Sequence, residues 1–376
     1  MWKVPLFDLS VGKKEIEAVK KVIESKWISI GAVTKEFEKI FAEALKVKYA
    51  VAVSNGTAAL HLALMALGLK RGDEVIVPSL TFVATANAVK YTGARPVFAD
   101  IESTGYPVIS CREIRRKITS KTRAILVVHY AGYPARMEEI MNIAKKHNLK
   151  VVEDTAHAPI VFYNGKGLGT WGDIGCFSFF SNKNITTAEG GMVLAKDDKV
   201  AEKIRVLRSH GMTTTSFERF GGQATSYDVV ALGYNYRIDD IRSALGIAQL
   251  NRFSELQGKR ERIAGLYRKL LPGIDGVEIP FLKERVSAFH IQPVLVNKKN
   301  RDEVKSHLHN DGIQTSFHYH PVHLFKIYKK AGWKEGDLPV TEDYALREIT
   351  LPLYPAMKDG DVKIVVKSLK GALAGK

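Results

Sequence analysis

Three polar segments of the sequence carry residues that could perform chemistry together. The first, SNGTAAL (54–60), follows the apolar run YAVAV (49–53), and its Gly-Thr turn opens a helical pattern. Backbone amides at the positive end of a helix are well placed to bind a phosphate group. Gly56 and Thr57 are therefore candidate phosphate-binding residues, and simple capping of the helix by a polar residue is the alternative.

The second segment, VVEDTAHA (151–158), places Asp154 just past an apolar run and His157 three residues later. A carboxylate fixed at the end of a strand can pair with a protonated ring nitrogen, which is the partner that a pyridinium-type electron sink needs. Taken alone, Asp154 would be interpreted as a cap or turn residue. His157 would then be an ordinary polar residue at the start of a helix.

The third segment, SFFSNKNITTAEGG (178–191), contains Ser178 at the end of a strand-like run and Lys183 in a polar loop. An amine that forms a Schiff base must be deprotonated for part of the time. Its pKa must therefore fall from its usual value of about 10.4, through burial or through a cationic neighbour. Most lysines meet neither condition, so this segment is informative only together with the other two.

In chain order, the three segments supply a phosphate cradle, a partner for a ring nitrogen and a Schiff-base lysine. Pyridoxal 5′-phosphate (PLP) is the cofactor that needs all three. Phe82, in PSLTFVATANA (78–88), adds an aromatic side chain that could stack on a flat ring, with core packing as the alternative. The sequence therefore predicts a PLP site and no metal site.

Short apolar runs alternate with helical patterns through the first two thirds of the chain. After YAVAV come EVIVP, ARPVFAD, AILVVHY and LKVVED, with helix-like segments between most of them. Strands that are apolar throughout are buried on both faces, and alternation with helices indicates a mainly parallel α/β sheet. Ligands of such sheets bind beyond the carboxyl ends of the strands, where the three polar segments fall.

The pattern changes near residue 240. The segment 239–271 is typical of one or two long amphipathic helices, and shorter strand-like and helical segments follow it. We predict a large PLP-binding domain over residues 1–245, with its N-terminal segment, and a smaller C-terminal α/β domain over residues 246–376.

Near the start of the chain, residues 13–26 place Ile16, Val19 and Ile23 on one face of a predicted helix.

Composition excludes several classes of protein. The chain has 376 residues, of which 45% are hydrophobic and 26% charged, as in globular proteins. No apolar run approaches the roughly 18 residues that a membrane helix needs, and the first residues lack the apolar core of a signal peptide. We therefore expect a cytoplasmic protein without membrane association. Cys111 and Cys176 form no metal-ligand spacing.

The net charge of +16 raises the possibility of a nucleic-acid partner. The basic residues are spread along the chain, and no segment resembles a helix-turn-helix or an aromatic RNA-binding platform. We interpret the charge as a solvated surface that also favours anionic ligands, and we expect no nucleic-acid binding.

The segment GLGTWG (167–172) fits the glycine spacing of a dinucleotide-binding motif. Such a motif follows a strand and opens a helix. Here the preceding residues predict a hairpin with a turn at Asn164 and Gly165, and the following IGCFSFF is strand-like. The context therefore argues against nicotinamide binding.

The segments and their order resemble the DegT/DnrJ/EryC1/StrS sugar aminotransferases, a branch of the PLP-dependent aspartate aminotransferase (fold type I) superfamily. The resemblance extends over nearly the whole chain. It is carried by VPLFDLSVGKKEIEAV, SKWISIGAVTKEFEKIFA, AVSNGTAALHLAL, TFVATANAV, VVEDTAHA, SFFSNKNITTAEGG, LRSHGM, LGYNYRIDDIRSALGIAQL, GIQTSFHYHPVH and LPLYP.

The resemblance implies a role for each candidate residue. Lys183 would form the Schiff base with PLP and move the proton, and Asp154 would bind the pyridine nitrogen. His157, where many relatives carry Gln, would contact the 3-hydroxyl side of the ring, and Phe82 would stack on it. The phosphate would be held by Gly56, Thr57 and Ser178.

The resemblance also implies a homodimer. Asn235, in GYNYR, resembles the residue that reaches the phosphate from the partner subunit. One departure from the family pattern is His320 in FHYHPVH, which stands where an apolar residue or Pro is expected. The roles of His320 and of Phe180 and Asn182, which precede the lysine, stay open.

The implied reaction moves an amino group from an amino acid, with glutamate as the expected donor, to a nucleotide-linked keto-sugar. The product would be a nucleotide-linked amino sugar for polysaccharide or glycan biosynthesis. A non-nucleotide substrate such as a keto-cyclitol is the main alternative. A PLP-dependent keto-sugar dehydratase is disfavoured because such relatives carry His in place of Lys183. The nucleotide, the sugar, the carbon that is aminated and its stereochemistry are not indicated by the sequence.

Overall fold

The computed structural model describes residues 2–214, 217, 219, 221 and 225–374. Its helices span Lys13–Glu24, Ala32–Ala44, Gly56–Ala66, Ala84–Tyr91, Cys111–Lys117, Met137–Lys146, Asp198–Arg208, Asp240–Leu250, Phe253–Leu270, Arg301–Asn310, Lys326–Lys329, Pro339–Arg347 and Asp359–Ala374. None of the helices within these residues combines the length and apolarity that a bilayer crossing requires.

The strands are numbered in chain order. They are β1 (Tyr49–Val53), β2 (Glu74–Pro78), β3 (Arg95–Ala99), β4 (Thr122–Val128), β5 (Lys150–Asp154), β6 (Phe162–Tyr163), β7 (Lys166–Gly167), β8 (Ile174–Ser178), β9 (Gly191–Ala195), β10 (Gln292–Leu295) and β11 (Glu348–Leu351).

A central sheet joins seven strands of the described chain in the order β1-β9-β8-β5-β4-β2-β3. Strand β9 runs antiparallel to both of its neighbours, and the other pairs are parallel. Every residue of β2 is buried, as expected for a parallel strand with helices on both faces. The predicted α/β class with a mainly parallel sheet is confirmed.

Alternate residues of β2 join different apolar clusters on the two faces of the sheet. In β2, Val75 and Val77 join one cluster and Ile76 joins the other, as the period of a strand requires. The cluster that contains Ile76 continues into Tyr267 and Val365 of the C-terminal helices. The C-terminal part of the chain therefore packs directly on one face of the sheet.

The C-terminal part has its own small antiparallel pair, β10 and β11. Its helices Arg301–Asn310 and Asp359–Ala374 pack against each other. The N-terminal residue Val4 forms a bridge with Ile313 of this part. Residue 245 falls inside the helix Asp240–Leu250, and the division into domains 1–245 and 246–376 stays a prediction.

The first helix forms where the sequence predicts it, but no described part of the chain covers its apolar face. Ile16 and Ile23 are 61% and 56% exposed, respectively. The helix instead buries Glu15, whose carboxylate lies 2.9 Å from a guanidinium nitrogen of Arg252. The helix thus turns Glu15 and Val22 inward, rather than the predicted apolar stripe.

Candidate active site

The carboxyl ends of β1, β2, β4, β5 and β8 meet at one edge of the sheet and line a cavity of about 740 Å³. This is the edge at which ligands of parallel α/β sheets bind. Seven of the eight residues that the sequence predicts for the site line the cavity. They are Gly56, Thr57, Phe82, Asp154, His157, Ser178 and Lys183.

The helix Gly56–Ala66 begins at the cavity wall. Its N-cap is Asn55, whose Oδ1 accepts a hydrogen bond of 2.8 Å from the amide of Ala58. The amides of Gly56 and Thr57 have no intrahelical acceptor, because they belong to the first turn. Capping therefore does not exclude anion binding here, since the cap uses one amide and leaves two others at the cavity.

Gly56 approaches the end of β8 so closely that a side chain would not fit. A Cβ atom built on Gly56 would lie 2.8 Å from the Cβ of Ser178. The close approach brings the Ser178 hydroxyl beside the helix N-terminus. The result is a concave surface of amides and hydroxyls that suits a phosphate group.

Asp154 is the last residue of β5 and is buried. Its Oδ2 accepts a hydrogen bond of 2.9 Å from the hydroxyl of Thr85, and its Oδ1 accepts one of 3.2 Å from the amide of Ala156. Burial raises the pKa of Asp154, while these hydrogen bonds and the charge of Lys183 oppose the rise. A cationic ring nitrogen placed against this carboxylate would stabilise its ionised form.

Lys183 lies in the loop that follows β8. Burial lowers the pKa of its amine to about 8, and the nearby carboxylate of Asp154 limits the fall. The condition that the sequence sets for a Schiff-base lysine is thus met by burial rather than by a cationic neighbour. The loop is held by backbone hydrogen bonds from Lys183 to Phe180 (2.9 Å) and from Thr187 to Phe179 (2.9 Å).

His157 is engaged by the protein at both ring nitrogens. Its Nδ1 accepts a hydrogen bond of 3.3 Å from the amide of Ala131, and its Nε2 lies 2.9 Å from the hydroxyl oxygen of Tyr319. Burial and the charge of Lys183 keep the pKa of His157 well below its usual value, so the ring is neutral. Because an amide can only donate, the ring hydrogen is on Nε2 and is donated to Tyr319. The hydrogen that this pair can offer to the cavity is therefore that of the Tyr319 hydroxyl.

Phe82 follows β2 at the mouth of the cavity. Its side chain is 58% exposed, so the alternative of core packing is wrong. The ring lies 6.1 Å from that of Tyr319, centroid to centroid. The two aromatic side chains face the same space, which can accept a flat ring.

Asn235 is the predicted site residue that does not line this cavity. It is exposed and forms a bridge with Ser209. The next residue, Tyr236, does line the cavity. The structure of one chain therefore brings Asn235 near the site without bringing it into the site.

The glycines of GLGTWG serve a structural purpose beneath the site. The amides of Gly169 and Gly172 donate hydrogen bonds of 2.8 Å and 2.7 Å to the two carboxylate oxygens of Glu153. A Cβ on Gly172 would lie 2.5 Å from the carbonyl oxygen of Val151. Close approach of the loop to β5 thus explains the spacing of the glycines in GLGTWG.

The predicted hairpin before these glycines is confirmed by the pairing of β6 with β7 across the Asn164-Gly165 turn.

Thr85, His318 and Tyr319 are among the cavity residues that sequence reasoning missed. Thr85 lies only three residues after Phe82, and a hydroxyl at a helix start that faces the strand ends was a usable signal. In the FHYHPVH segment, the departure from the family pattern is at His320. That residue is exposed and packs its ring 5.0 Å from Phe325 rather than in the cavity.

The residues of the cavity fit PLP. A helix N-terminus with two unused amides, a buried carboxylate and an amine with a pKa of about 8 share one cavity. These groups match the phosphate, the ring nitrogen and the aldehyde of PLP, respectively. Phe82 and Tyr319 supply aromatic surface for the ring.

Known proteins share both the sequence and the fold. Residues 10–370 match the model of the DegT/DnrJ/EryC1/StrS aminotransferase family. The chain is 39% identical to the spore coat polysaccharide biosynthesis protein SpsC of Bacillus subtilis, over 97% of this chain and 96% of the relative. It is also 39% identical to the GDP-perosamine synthase of Escherichia coli O157:H7, over 97% of each chain.

Solved structures extend the match to three dimensions. PseC of Helicobacter pylori, an aminotransferase involved in the biosynthesis of pseudoaminic acid, superimposes with a TM-score of 0.92 at 30% identity, over 99% of this chain and 100% of that one. The PMP form of Spr1654 from Streptococcus pneumoniae gives a TM-score of 0.93 at 28% identity, over 99% and 100%. The fold predicted from the sequence, that of PLP-dependent aminotransferases, is confirmed. The chain belongs to the DegT/DnrJ/EryC1/StrS family of sugar aminotransferases, and it is a PLP-dependent aminotransferase.

Proposed function

We propose that the chain transfers an amino group from L-glutamate to the keto group of a nucleotide-linked sugar, for the biosynthesis of a polysaccharide or glycan. One observation carries the proposal. A buried amine, a buried carboxylate and a phosphate cradle line a single cavity in a chain of the sugar aminotransferase family. The relationship to a GDP-perosamine synthase supports a nucleotide-linked substrate.

Lys183 is proposed as the residue that holds PLP and moves the proton. When bound, PLP supplies an aldehyde that condenses with amines and a ring that accepts electrons. With its pKa lowered to about 8, Lys183 is neutral at pH 7 far more often than an ordinary lysine, whose pKa is about 10.4. The neutral amine of Lys183 would also be able to accept a proton from a substrate carbon in the cavity.

Asp154 is proposed to keep the ring nitrogen protonated. The hydrogen bonds from Thr85 and from the amide of Ala156 hold its carboxylate in place and favour the charged form. At the other end of the cavity, the amides of Gly56 and Thr57 and the hydroxyl of Ser178 are proposed to bind the phosphate. The His157–Tyr319 pair would direct a hydroxyl hydrogen toward the oxygen side of the ring.

A homodimer is proposed to complete the site. The segment before Asn235 exposes Val229, Val230 and Leu232, which are 56%, 60% and 87% exposed, respectively. Exposed apolar side chains that cluster together mark interaction surfaces. A second copy of the chain that covers this surface would allow Asn235 to reach the phosphate cradle of its partner.

The substrate proposal is tested with a panel of keto compounds. Purified enzyme with PLP and glutamate is offered UDP-, dTDP- and GDP-linked keto-sugars beside a keto-cyclitol, and product mass and the aminated carbon are read out. We expect amination of a nucleotide-linked sugar. Turnover of the keto-cyclitol alone would refute the nucleotide-linked substrate while leaving the aminotransferase chemistry intact.

A further inference from the structure

A chain of hydrogen bonds runs from the cavity to a buried carboxyl group that has no part in holding PLP. His318 lines the cavity, and its Nδ1 lies 2.7 Å from the hydroxyl oxygen of Thr350. That oxygen lies 2.6 Å from Oε1 of Glu348, whose Oε2 accepts a hydrogen bond of 2.8 Å from the amide of His318. Glu348 and Thr350 are two residues apart on β11, so their side chains share one face of the strand.

Neither Glu348 nor Thr350 reaches the cavity, and both are almost fully buried, with exposures of 0% and 1%. Burying a carboxyl group is unfavourable unless its hydrogen bonds are satisfied. Here both oxygens are engaged, and both contacts lead to His318, one directly and one through Thr350. The hydrogen bonds of this carboxyl group thus converge on His318.

The direction of the hydrogen bonds between Glu348 and His318 depends on one proton, because Thr350 has a single hydroxyl hydrogen. An ionised Glu348 must accept that hydrogen. Thr350 can then only accept from His318, so the ring hydrogen is on Nδ1 and Nε2 offers a lone pair. A protonated Glu348 can instead donate to Thr350, which then donates to Nδ1 of His318. The ring hydrogen moves to Nε2, which becomes a donor.

The electrostatics allow both directions. Burial raises the pKa of Glu348 to about 8, while the hydrogen bonds from Thr350 and the His318 amide limit the rise. Burial and the charge of Lys183 lower the pKa of His318 to about 3, so its ring is neutral in either state. The other titratable groups that face Glu348 are Arg301 and Lys305 of the helix Arg301–Asn310, Tyr344 of the helix Pro339–Arg347, Tyr130 after β4, and Tyr319.

We propose that Glu348 acts through Thr350 to select the tautomer of His318, and thereby decides whether Nε2 donates or accepts a hydrogen bond. Both residues are positioning residues for the group at the cavity. A keto oxygen can only accept, so the tautomer with hydrogen on Nε2 is the one that binds a keto-sugar at its reacting oxygen. This kinetic consequence rests on the proposed function, whereas the tautomer itself does not.

The tautomer is measured by NMR on the PLP-loaded enzyme with ¹⁵N-labelled histidine and without any sugar. A His318→Gln variant assigns the signals. In Glu348→Gln, the side-chain carbonyl must accept from the His318 amide, so the NH₂ group donates to the hydroxyl oxygen of Thr350. The hydroxyl then donates to Nδ1 of His318, and the ring hydrogen is on Nε2. In the wild type, we expect His318 to carry its ring hydrogen on Nδ1 well above pH 8 and on Nε2 well below pH 8. In Glu348→Gln, we expect the hydrogen on Nε2 at both pH values. The same tautomer in the wild type above pH 8 and in Glu348→Gln would overturn the proposal.

Two variants of Thr350 keep the carboxyl group of Glu348, and only one of them breaks its link to His318. Thr350→Val removes the hydroxyl, so the tautomer should lose its dependence on pH, while Thr350→Ser should retain it. In the wild type, single-turnover transfer to the keto-sugar should slow about three- to tenfold above pH 8, where His318 loses the Nε2 hydrogen and with it one hydrogen bond, and Thr350→Val should lack this slowing. A pH-dependent tautomer that survives Thr350→Val would refute the relay. If no keto-sugar is accepted, the proposed function fails, and the NMR result still decides the tautomer.

Discussion

Thr85 holds one oxygen of the Asp154 carboxyl group, and its hydroxyl can be replaced by a methyl group of similar size. The hydrogen bond is 2.9 Å long and buried. A hydrogen bond to a charged group is worth about 1.5–3 kcal/mol. Because one pKa unit corresponds to about 1.36 kcal/mol, Thr85→Val should raise the pKa of Asp154 by about one to two units.

The sign of the effect follows from which form the hydrogen bond favours. The Thr85 hydroxyl stabilises the ionised carboxylate, and only that form keeps a ring nitrogen protonated. In Thr85→Val, Asp154 stays neutral to a higher pH, so the loss of activity should be greatest at low pH and should vanish well above the new pKa. The acid limb of the kcat/KM profile should therefore move upward by about one to two pH units.

The assay pairs kcat/KM profiles with PLP dissociation constants, measured by absorbance across the same pH range. Thr85→Ser is the matched control, because it keeps the hydroxyl and loses only the methyl group. An unchanged acid limb in Thr85→Val would refute the role given to this hydrogen bond. An equal shift in Thr85→Ser would show that packing, and not the hydroxyl, matters.

Three further outcomes are expected. Lys183→Ala should abolish turnover and the visible absorbance of the Schiff base that the lysine forms with PLP, and an active variant that keeps this absorbance would end the assignment. Gly56→Ala should weaken PLP binding, as measured by absorbance titration, because its Cβ would lie 2.8 Å from that of Ser178. The control Gly258→Ala should bind PLP normally, because no neighbouring atom of the described chain lies within 4 Å of the added Cβ. Mixing inactive Lys183→Ala with Asn235→Ala should raise activity above the sum of the two, toward about a quarter of wild type under random pairing in a dimer, whereas no gain would place Asn235 in its own chain's site.

The main features of the site were predictable because they depend on local sequence and on one rule of topology. Gly56, Asp154 and Lys183 each follow an apolar strand closely in the chain, and parallel strands bring such positions to one edge of the sheet. The cause of the low pKa of Lys183 was not predictable. Burial, rather than a cationic neighbour, is responsible, and burial depends on the whole enclosure.

His318 and Tyr319 could not be predicted because they come from a remote segment. Their position in the cavity depends on how the C-terminal part packs on the sheet, and consecutive side chains in FHYHPVH give no periodic signal that separates inward from outward. Tyr319 enters and His320 stays outside. The first helix shows the same limit, since its pattern predicts a helix but not that Glu15 is buried while Ile16 is exposed.

The hydrogen bonds that hold Glu153 lie outside the cavity, where a substrate would not contact them. Glu153 and Asp154 are neighbours on β5, so their side chains point to opposite faces. The amides of Gly169 and Gly172 and the ring of His129, 3.0 Å away, fix Glu153 from behind. A change in this loop can shift Asp154 without altering any residue of the cavity wall. An engineer could thus retune the acidity of the site while leaving the surface that recognises the substrate untouched.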